Sequence, residues 1–198
     1  MKNINIQHQP PMRNGSPDDF QTPPEALEPL IPYLNKDWTI WECAVGKGNL
    51  FKALKDKGFE VLGSDINSEE PYSIDFLKEK NLVWEMDCIV TNPPFSLKQE
   101  FLERCYELQK PFALLLPLTT FETAKRQNLF KKYGLQIIFF DKRINFETPS
   151  GKGSGSWFAT AWFCWGLNLP KDMMFVKLKR ESQTFTKPKE ELNRGGIE

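Results

Sequence analysis

The stretch Asp87-Cys-Ile-Val-Thr-Asn-Pro-Pro-Phe-Ser96 decides the fold of this chain. Its first half, Cys88 to Thr91, is a short apolar run with β-branched residues, which indicates a buried strand. Pro93 and Pro94 end that strand, because a proline has no N–H to donate to a sheet ladder. Each proline also disfavours the helical region for the residue before it, so the backbone at Asn92 is extended and stiff. The sequence therefore predicts a buried strand that ends in a rigid corner.

That corner presents two hydrogen-bond acceptors and a flat ring. The acceptors are the amide oxygen of Asn92 and the backbone carbonyl of Pro93, and the ring is that of Phe95. Such a group of atoms suits a planar partner that carries an NH₂, for example the amino edge of a nucleobase or a carboxamide. The alternative is an ordinary turn, since Asn-Pro pairs commonly end strands.

Length and composition limit the possible classes of protein. With 198 residues and 40% hydrophobic content, the chain can bury one good-sized core and is most simply a single domain. No run approaches the roughly 18 apolar residues of a membrane helix, and Met1 to Pro11 is polar rather than signal-like, so we expect a cytoplasmic protein. The net charge of zero argues against strong nonspecific binding to nucleic acid but leaves room for a local basic surface.

The four cysteines, at positions 43, 88, 105 and 164, are scattered in apolar settings. They form no Cys-x-x-Cys pair, and only His8 could supply an imidazole partner. We therefore expect buried free thiols rather than disulfides, and no metal site.

A glycine-containing turn follows the first predicted strand. The strand covers Thr39 to Ala44, the turn is Val45-Gly46-Lys47-Gly48, and a helix runs from about Asn49 to Lys57, which together form the start of a nucleotide-binding unit. Phe51 replaces the third glycine of the dinucleotide fingerprint. Glu42 would repel a pyrophosphate but attract the ammonium group of a methionine moiety. These features favour S-adenosylmethionine over NAD.

The second predicted strand, Glu60 to Asp65, ends in an acid. Asp65 lies about 20 residues after the glycine turn, where an acid accepts hydrogen bonds from ribose hydroxyls. A helix cap or turn residue is the alternative.

The segment before the first strand has the form of a capping box, Thr22-Pro23-Pro24-Glu25, with Thr22 as the N-cap. A helix should begin there, although Pro29 and Pro32 predict that it is kinked or split into short turns. Residues 1–21 read as a flexible arm that could close over a site.

Helices and strands alternate after the central stretch. We predict helices over Lys98 to Gln109 and Glu122 to Tyr133, a strand over Pro111 to Pro117, and two strands, Leu135 to Phe140 and Trp157 to Trp165, that pair antiparallel. This organisation predicts an arm at residues 1–21, one domain at 22–170 and a charged C-terminal tail at 171–198.

The quartet Asn92-Pro93-Pro94-Phe95 resembles the (Asp/Asn/Ser)-Pro-Pro-(Tyr/Phe/Trp) motif of S-adenosylmethionine-dependent methyltransferases that modify exocyclic or amide nitrogens. The chain around it is similar to the small phage-type, adenine-specific DNA methyltransferases, from about Gln21 to Trp165. The resemblance implies a three-layer, Rossmann-like α/β fold with a seven-stranded, mostly parallel sheet ending in an antiparallel hairpin. The family usually has proline where Cys43 stands, a departure that leaves the glycines unchanged.

The resemblance also implies methyl transfer from S-adenosylmethionine to the amino group of adenine in DNA. Thr-Pro-Pro resembles the family's segment that meets the methionine end of the cofactor. Ser73 to Leu77 resembles the segment whose acid accepts from the cofactor's adenine, although Asp75 could equally cap a turn. The catalytic residues would be Asn92, Pro93, Pro94 and Phe95. The cofactor-binding residues would be Thr22, Pro23, Glu42, Ala44, Gly46, Gly48, Asp65, Ile66, Asp75 and Phe76.

No internal repeat or separate recognition domain is visible, so loops and termini must read the target. The best candidate is the loop Asp141 to Ser156, whose glycines and serines predict mobility. Lys142, Arg143 and Lys152 would contact phosphates, and Phe146 offers a stacking surface. The preceding helix adds Lys125, Arg126, Lys131 and Lys132, for which a solvated face is the alternative. We expect DNA, or RNA, as the partner of a monomer or weak homodimer, without membrane attachment.

Other functions stay open at this point. The same motif serves methylation of an RNA base or of a glutamine amide. A protein that binds cofactor or nucleic acid without catalysis is a further alternative, although the intact motif speaks against it. An NAD-linked enzyme comes last because of Glu42 and the missing third glycine.

Overall fold

The computed structural model describes residues 18, 20–69, 73–79, 85–148, 151–152 and 158–179. The strands in these ranges are β1 Thr39–Glu42, β2 Glu60–Gly63, β3 Cys88–Thr91, β4 Phe112–Pro117, β5 Gln136–Phe140, β6 Glu147–Thr148, β7 Gly151–Lys152, β8 Thr160–Trp165 and β9 Met173–Val176. The α-helices are α1 Asn49–Asp56, α2 Lys98–Leu108 and α3 Ala124–Tyr133. Short 3₁₀ turns cover Pro24–Ala26, Ile31–Tyr33, Phe95–Leu97 and Leu118–Glu122.

Seven strands form one sheet in the order β2-β1-β3-β4-β8-β5-β9. The strands β2, β1, β3 and β4 are parallel. Strand β8 runs antiparallel to both of its neighbours, β4 and β5. The predicted mostly parallel sheet, with the antiparallel pairing of the two late strands, is therefore confirmed. Strands β6 and β7 form a separate small hairpin.

Strand β8 shows that the sheet is covered on both faces. The indole N–H of Trp162 donates to the carbonyl of Ala26 at 2.8 Å, whereas the neighbouring Phe163 ring contacts Phe121 and Phe130. Because successive strand residues point to opposite faces, the N-terminal 3₁₀ segment covers one face and the α3 region covers the other. The predicted three-layer architecture is confirmed.

The central strands are buried along their whole length. All six residues of β4 and all four of β3 are buried, as parallel strands between two helical layers require. Because β1 pairs parallel with both β2 and β3, the carboxyl ends of these three strands meet at one end of the sheet. Ligands bind at that end in open α/β folds.

The seventh strand lies where the sequence analysis predicts no strand. Strand β9 pairs parallel with β5, inside the segment that the sequence analysis assigns to the charged tail. Met174 and Val176 are buried while Met173 and Phe175 are exposed, so a short alternating run is enough to add an edge strand.

The predicted capping box is wrong. The first 3₁₀ turn begins at Pro24, its N-cap is Pro23, and no side chain caps it. Closely spaced prolines remove the N–H donors of a continuous helix, so the segment consists of short turns, as the same prolines predict. Helix α3 begins two residues later than predicted, with Thr123 as its cap.

All four cysteines are free and buried, which confirms the prediction from their apolar settings. Within the described ranges, no helix is long and apolar enough to cross a membrane. The same residues contain no cluster of three His, Cys, Asp or Glu side chains that could hold a metal ion.

Candidate active site

A cleft of about 470 Å³ opens at the carboxyl ends of β1, β2 and β3. Three segments line it: the glycine turn with the end of β2, the Asn-Pro-Pro corner, and residues just before Thr22. The lining residues are Asp18, Phe20, Gln21, Ala44, Gly46, Lys47, Asp65, Asn67, Ser68, Asn92 and Pro94. The fold therefore brings the predicted glycine turn, Asp65 and Asn92 to one site.

The glycine turn has a backbone conformation that favours glycine. Gly46 has φ +52° and Gly48, the N-cap of α1, has φ +86°, a region that other residues rarely adopt. A Cβ atom on Gly46 would lie 2.7 Å from the side-chain amide of Gln21. The side-chain oxygen of Gln21 in turn accepts from the backbone N–H of Lys47 at 3.0 Å. The turn is thus held closely by its neighbours.

Asp65 ties the end of β2 to that turn. One of its oxygens accepts from Gly46 N at 2.9 Å and the other from Asn67 N, also at 2.9 Å. The carboxylate is only partly buried and lines the cleft. The adjacent Ile66 is 58% exposed and stands in the chain between Asp65 and Asn67 of the cleft lining, although it is not itself in that lining.

Glu42 lies below the cleft rather than in its lining. It is 1% exposed, and one of its oxygens accepts from the hydroxyl of Thr91 and from Ala44 N. Burial raises the pKa of Glu42 to about 8, against the lowering effect of those two hydrogen bonds. Its predicted contact with an ammonium group stays a prediction, whereas its visible role is to join the ends of β1 and β3.

The segment around Asp75 shows the turn-capping alternative. Asp75 accepts from Leu77 N at 3.1 Å and forms an ion pair with Lys78 at 2.8 Å, which lowers the pKa of the carboxyl. Phe76 is buried between the rings of Trp41 and Phe101. Neither residue lines the cleft, and their contacts with a cofactor adenine stay predictions.

Thr22 and Pro23 follow directly after Gln21 of the cleft wall. Thr22 is 3% exposed, and its hydroxyl has no hydrogen-bond partner among the described residues. A buried hydroxyl without a partner is costly in free energy, so Thr22 remains a candidate contact for a ligand.

Asn92 at the corner has one satisfied and one unsatisfied side-chain atom. Its Nδ2 donates to the backbone carbonyl of Phe20 at 2.5 Å. Its Oδ1 is buried and accepts no hydrogen bond from any residue that the structure describes. Pro93 is buried and Pro94 lines the cleft.

Phe95 is not the exposed platform that the sequence suggests. The ring is 3% exposed and lies in a cluster with three other phenylalanines. Phe20 stacks on it with a centroid distance of 5.3 Å and an interplanar angle of 19°. Phe146 and Phe158 approach edge-on at 6.1 and 5.4 Å. The sequence analysis does not identify Phe20 or Phe158 as site residues. The local signal for them is only their position in the chain, since Phe20 lies beside Thr22 and Phe158 lies beside the loop Asp141 to Ser156.

The loop predicted to be mobile is partly ordered by the same cluster. Ile144 and Phe146 are buried in the core, so Phe146 is not the exposed stacking surface that the sequence suggests. Glu147 forms an antiparallel bridge with Gln21 through two backbone hydrogen bonds of 2.9 and 3.2 Å. Residues 149–150 and 153–156 lie outside the described residues, so the predicted mobility of that part stays a prediction.

The basic residues divide into exposed and structural groups. Lys142 and Arg143 are exposed on the loop, and the backbone of Lys152 lies in β7. Arg126, in contrast, is 8% exposed and donates to the carbonyls of Thr119 and Thr120. The suggestion that Arg126 belongs to a basic surface is therefore wrong, because its guanidinium closes the turn after β4.

Known protein structures resemble this fold at low sequence identity. A modification subunit of a candidate type I restriction enzyme from Vibrio vulnificus matches with a TM-score of 0.50 and 14% identity, over 86% of this chain and 49% of that one. This chain thus spans about half of that subunit's length. A candidate RNA methyltransferase from Pyrococcus horikoshii gives a TM-score of 0.48 and 11% identity, over 70% and 77% of the two chains.

An S-adenosylmethionine-dependent methyltransferase from Archaeoglobus fulgidus also gives a TM-score of 0.48, with 15% identity over 71% of this chain and 91% of that one. A search with models of known protein families gave no match, and neither did a comparison with curated proteins. The likeness to the Vibrio subunit supports the Rossmann-like methyltransferase fold.

Proposed function

We propose that this chain is an S-adenosylmethionine-dependent methyltransferase that acts on the exocyclic amino group of adenine in DNA. The observation that carries the proposal is the buried, unpartnered Oδ1 of Asn92 beside a cleft with a glycine turn. A buried acceptor without a donor is unfavourable by about 1–3 kcal/mol, and an amino group supplies the missing donor. In this conformation Nδ2 donates to the Phe20 carbonyl, and Oδ1 faces away from that carbonyl.

The cleft has features that fit the proposed cofactor. Its volume of about 470 Å³ lies in the usual range for small-molecule sites, roughly 300–1,000 Å³. Ala44, Gly46 and Gly48 would let the ligand approach the backbone, Asp65 would accept from ribose hydroxyls, and exposed Ile66 would pack on an adenine ring. Bound S-adenosylmethionine would supply an electrophilic methyl group.

The residues of the corner would work by positioning and electrostatics. An amino nitrogen conjugated to a purine is a poor nucleophile because its lone pair is delocalised. Acceptors at Asn92 Oδ1 and the Pro93 carbonyl would draw its two hydrogens and favour a pyramidal nitrogen. No base of high pKa is needed for this role.

A base in a duplex would have to leave the stack to reach the cleft. This costs a few kcal/mol, and stacking on the Phe95 ring, worth about 1–3 kcal/mol, would offset part of that cost once the Phe20 ring no longer covers it. The resemblance to a restriction-modification subunit supports a nucleic acid as the target, and the local motif supports an amino nitrogen as the acceptor atom.

Transfer of a labelled methyl group tests the proposal. The chain would be incubated with labelled S-adenosylmethionine and, in parallel, with plasmid DNA, total RNA and lysate protein. We expect label in DNA, as N6-methyladenine after digestion to nucleosides. Label only in RNA or protein would reassign the acceptor, and calorimetry that shows binding of NADH but not of S-adenosylmethionine would reject the cofactor.

A further inference from the structure

We propose that the Phe20 ring occupies the position on Phe95 that the target base would take. The N-terminal strap, defined here as Asp18, Phe20 and Gln21, must then swing aside before a nucleic acid can enter the site. This inference rests on the proposed function, because it assigns a regulatory role to the strap at the same site.

The ring of Phe20 makes the contact that a stacked base would make. It lies almost parallel to the Phe95 ring, at 5.3 Å and 19°, within the usual range for offset aromatic pairs. Phe146 and Phe158 pack edge-on against it at 5.7 and 5.4 Å. With Phe95 only 3% exposed, a base cannot stack there while Phe20 stays in position.

The backbone of the strap also engages the catalytic corner. The Phe20 carbonyl accepts from Asn92 Nδ2 at 2.5 Å, and one carboxylate oxygen of Asp18 accepts from the backbone N–H of Ser96 at 2.7 Å. A closed strap therefore occupies a hydrogen-bonding atom of Asn92 and the aromatic surface of Phe95 at the same time. The bond at Nδ2 does not use Asn92 Oδ1, but a target base needs the Phe95 surface that the Phe20 ring covers, so strap and base exclude each other there.

The strap is connected to the loop that carries exposed cations. Gln21 and Glu147 exchange two backbone hydrogen bonds, and Lys142 and Arg143 lie a few residues before Glu147. A phosphate backbone that binds these cations would shift the β6 strand, to which the strap is attached by the Gln21–Glu147 hydrogen bonds. Binding of nucleic acid and release of the strap would thus be coupled.

Closure of the strap reduces the apparent affinity for the target. When only a fraction of the molecules is open, the observed dissociation constant equals the intrinsic one divided by that fraction. Removal of the Phe20 ring should raise the open fraction, and we expect binding to tighten about tenfold, which corresponds to about 1.4 kcal/mol of strap closure.

The test compares Phe20→Ala with the unmodified chain in fluorescence anisotropy, using a labelled single-stranded oligonucleotide of mixed sequence. A single strand avoids the cost of extracting a base from a duplex. Phe175→Ala is the matched control, because it removes a stacked but 79% exposed ring outside the cleft. We expect tighter binding of the oligonucleotide for Phe20→Ala and no change for Phe175→Ala.

Hydrogen exchange of the unmodified chain provides a second measurement that needs no variant. Saturation with the oligonucleotide should accelerate exchange of the Ser96 amide, since its acceptor on Asp18 leaves. Equal or weaker binding by Phe20→Ala, or an unchanged Ser96 amide at saturation, would overturn the strap proposal. Methyl transfer by the unmodified chain tests the proposed function separately, so an active enzyme whose Phe20→Ala variant binds no better rejects the strap proposal alone.

Discussion

The two walls of the cleft differ in how much they must rearrange before a ligand can bind. The glycine-turn wall is made of backbone and short polar side chains, with Gly46 exposed and Asp65 partly buried. The corner wall is aromatic and closed, with Phe95 under three other rings. A preformed surface costs little to occupy, whereas a closed one must first be opened. We therefore expect the cofactor to bind readily and the target to bind only after a conformational change.

Asn92 lies at the boundary between the walls, and its substitution should have the largest effect. Asn92→Ala removes the acceptor that acts on the target nitrogen only, so kcat should fall by roughly two to three orders of magnitude, the loss typical of one preorganised hydrogen-bonding group. Affinity for the cofactor, measured by calorimetry, should stay nearly unchanged.

Asn92→Asp is the matched control, since it keeps an acceptor but loses the donor to the Phe20 carbonyl. We expect more activity from it than from Asn92→Ala. Full methylation by Asn92→Ala would show that the role given to this residue is wrong.

Gly46→Val tests whether the open wall holds the cofactor. A branched side chain would meet Gln21 and strain a backbone with φ +52°, so we expect the affinity for S-adenosylmethionine to fall at least about tenfold. Gly58→Val is the control, because Gly58 also has a positive φ of +79° but nothing within 4 Å of the added Cβ. Both variants should lose stability, but only Gly46→Val should lose affinity. Equal affinities would move the cofactor away from this turn.

The contrast between the walls also explains what the sequence could predict. The glycine turn and the Asn-Pro-Pro corner are local, since proline and glycine fix backbone conformation wherever they stand. The cluster on Phe95 is not local: Phe20 meets a residue 75 positions later in the chain. No pattern in a single sequence specifies such a pairing, and the same holds for the edge strand Met173–Val176, whose partner is β5.

Cations near the closed wall should set the affinity for nucleic acid. Neutralising Lys142, Arg143 and Lys152 together should weaken binding to duplex DNA about tenfold at moderate salt. The salt slope should fall by up to about 0.9 for each phosphate that the variant no longer neutralises. The affinity for S-adenosylmethionine should stay the same. Lys125, Lys131 and Lys132, replaced by glutamine together, form the matched control on α3. If the control weakens binding as much as the loop variant, the helix rather than the loop contacts the target.

Glu42 connects the two walls, because it bonds Thr91 at the end of β3 and Ala44 beside the glycine turn. Its pKa is about 8 in the folded chain and 4.5 ordinarily, so between these values the folded state keeps a proton that the unfolded state releases. The contribution of Glu42 to stability is therefore greatest below about pH 4.5 and declines as the pH rises towards 8, by at most about 1.4 kcal/mol per pH unit.

Glu42→Gln keeps the shape and the acceptor but does not titrate, so its free energy of unfolding should depend less on pH in that window. Urea denaturation at pH 5, 6, 7 and 8 gives the slope of the free energy of unfolding against pH for the unmodified chain and for Glu42→Gln. The difference between these two slopes cancels the contributions of other carboxyl groups. Thr91→Val removes the hydrogen bond that lowers the pKa of Glu42. In this variant the free energy of unfolding should therefore continue to decline above pH 8. Parallel curves for all three proteins would mean that Glu42 stays ionised in the folded chain, with its charge balanced by the backbone and hydroxyl groups that join the two walls.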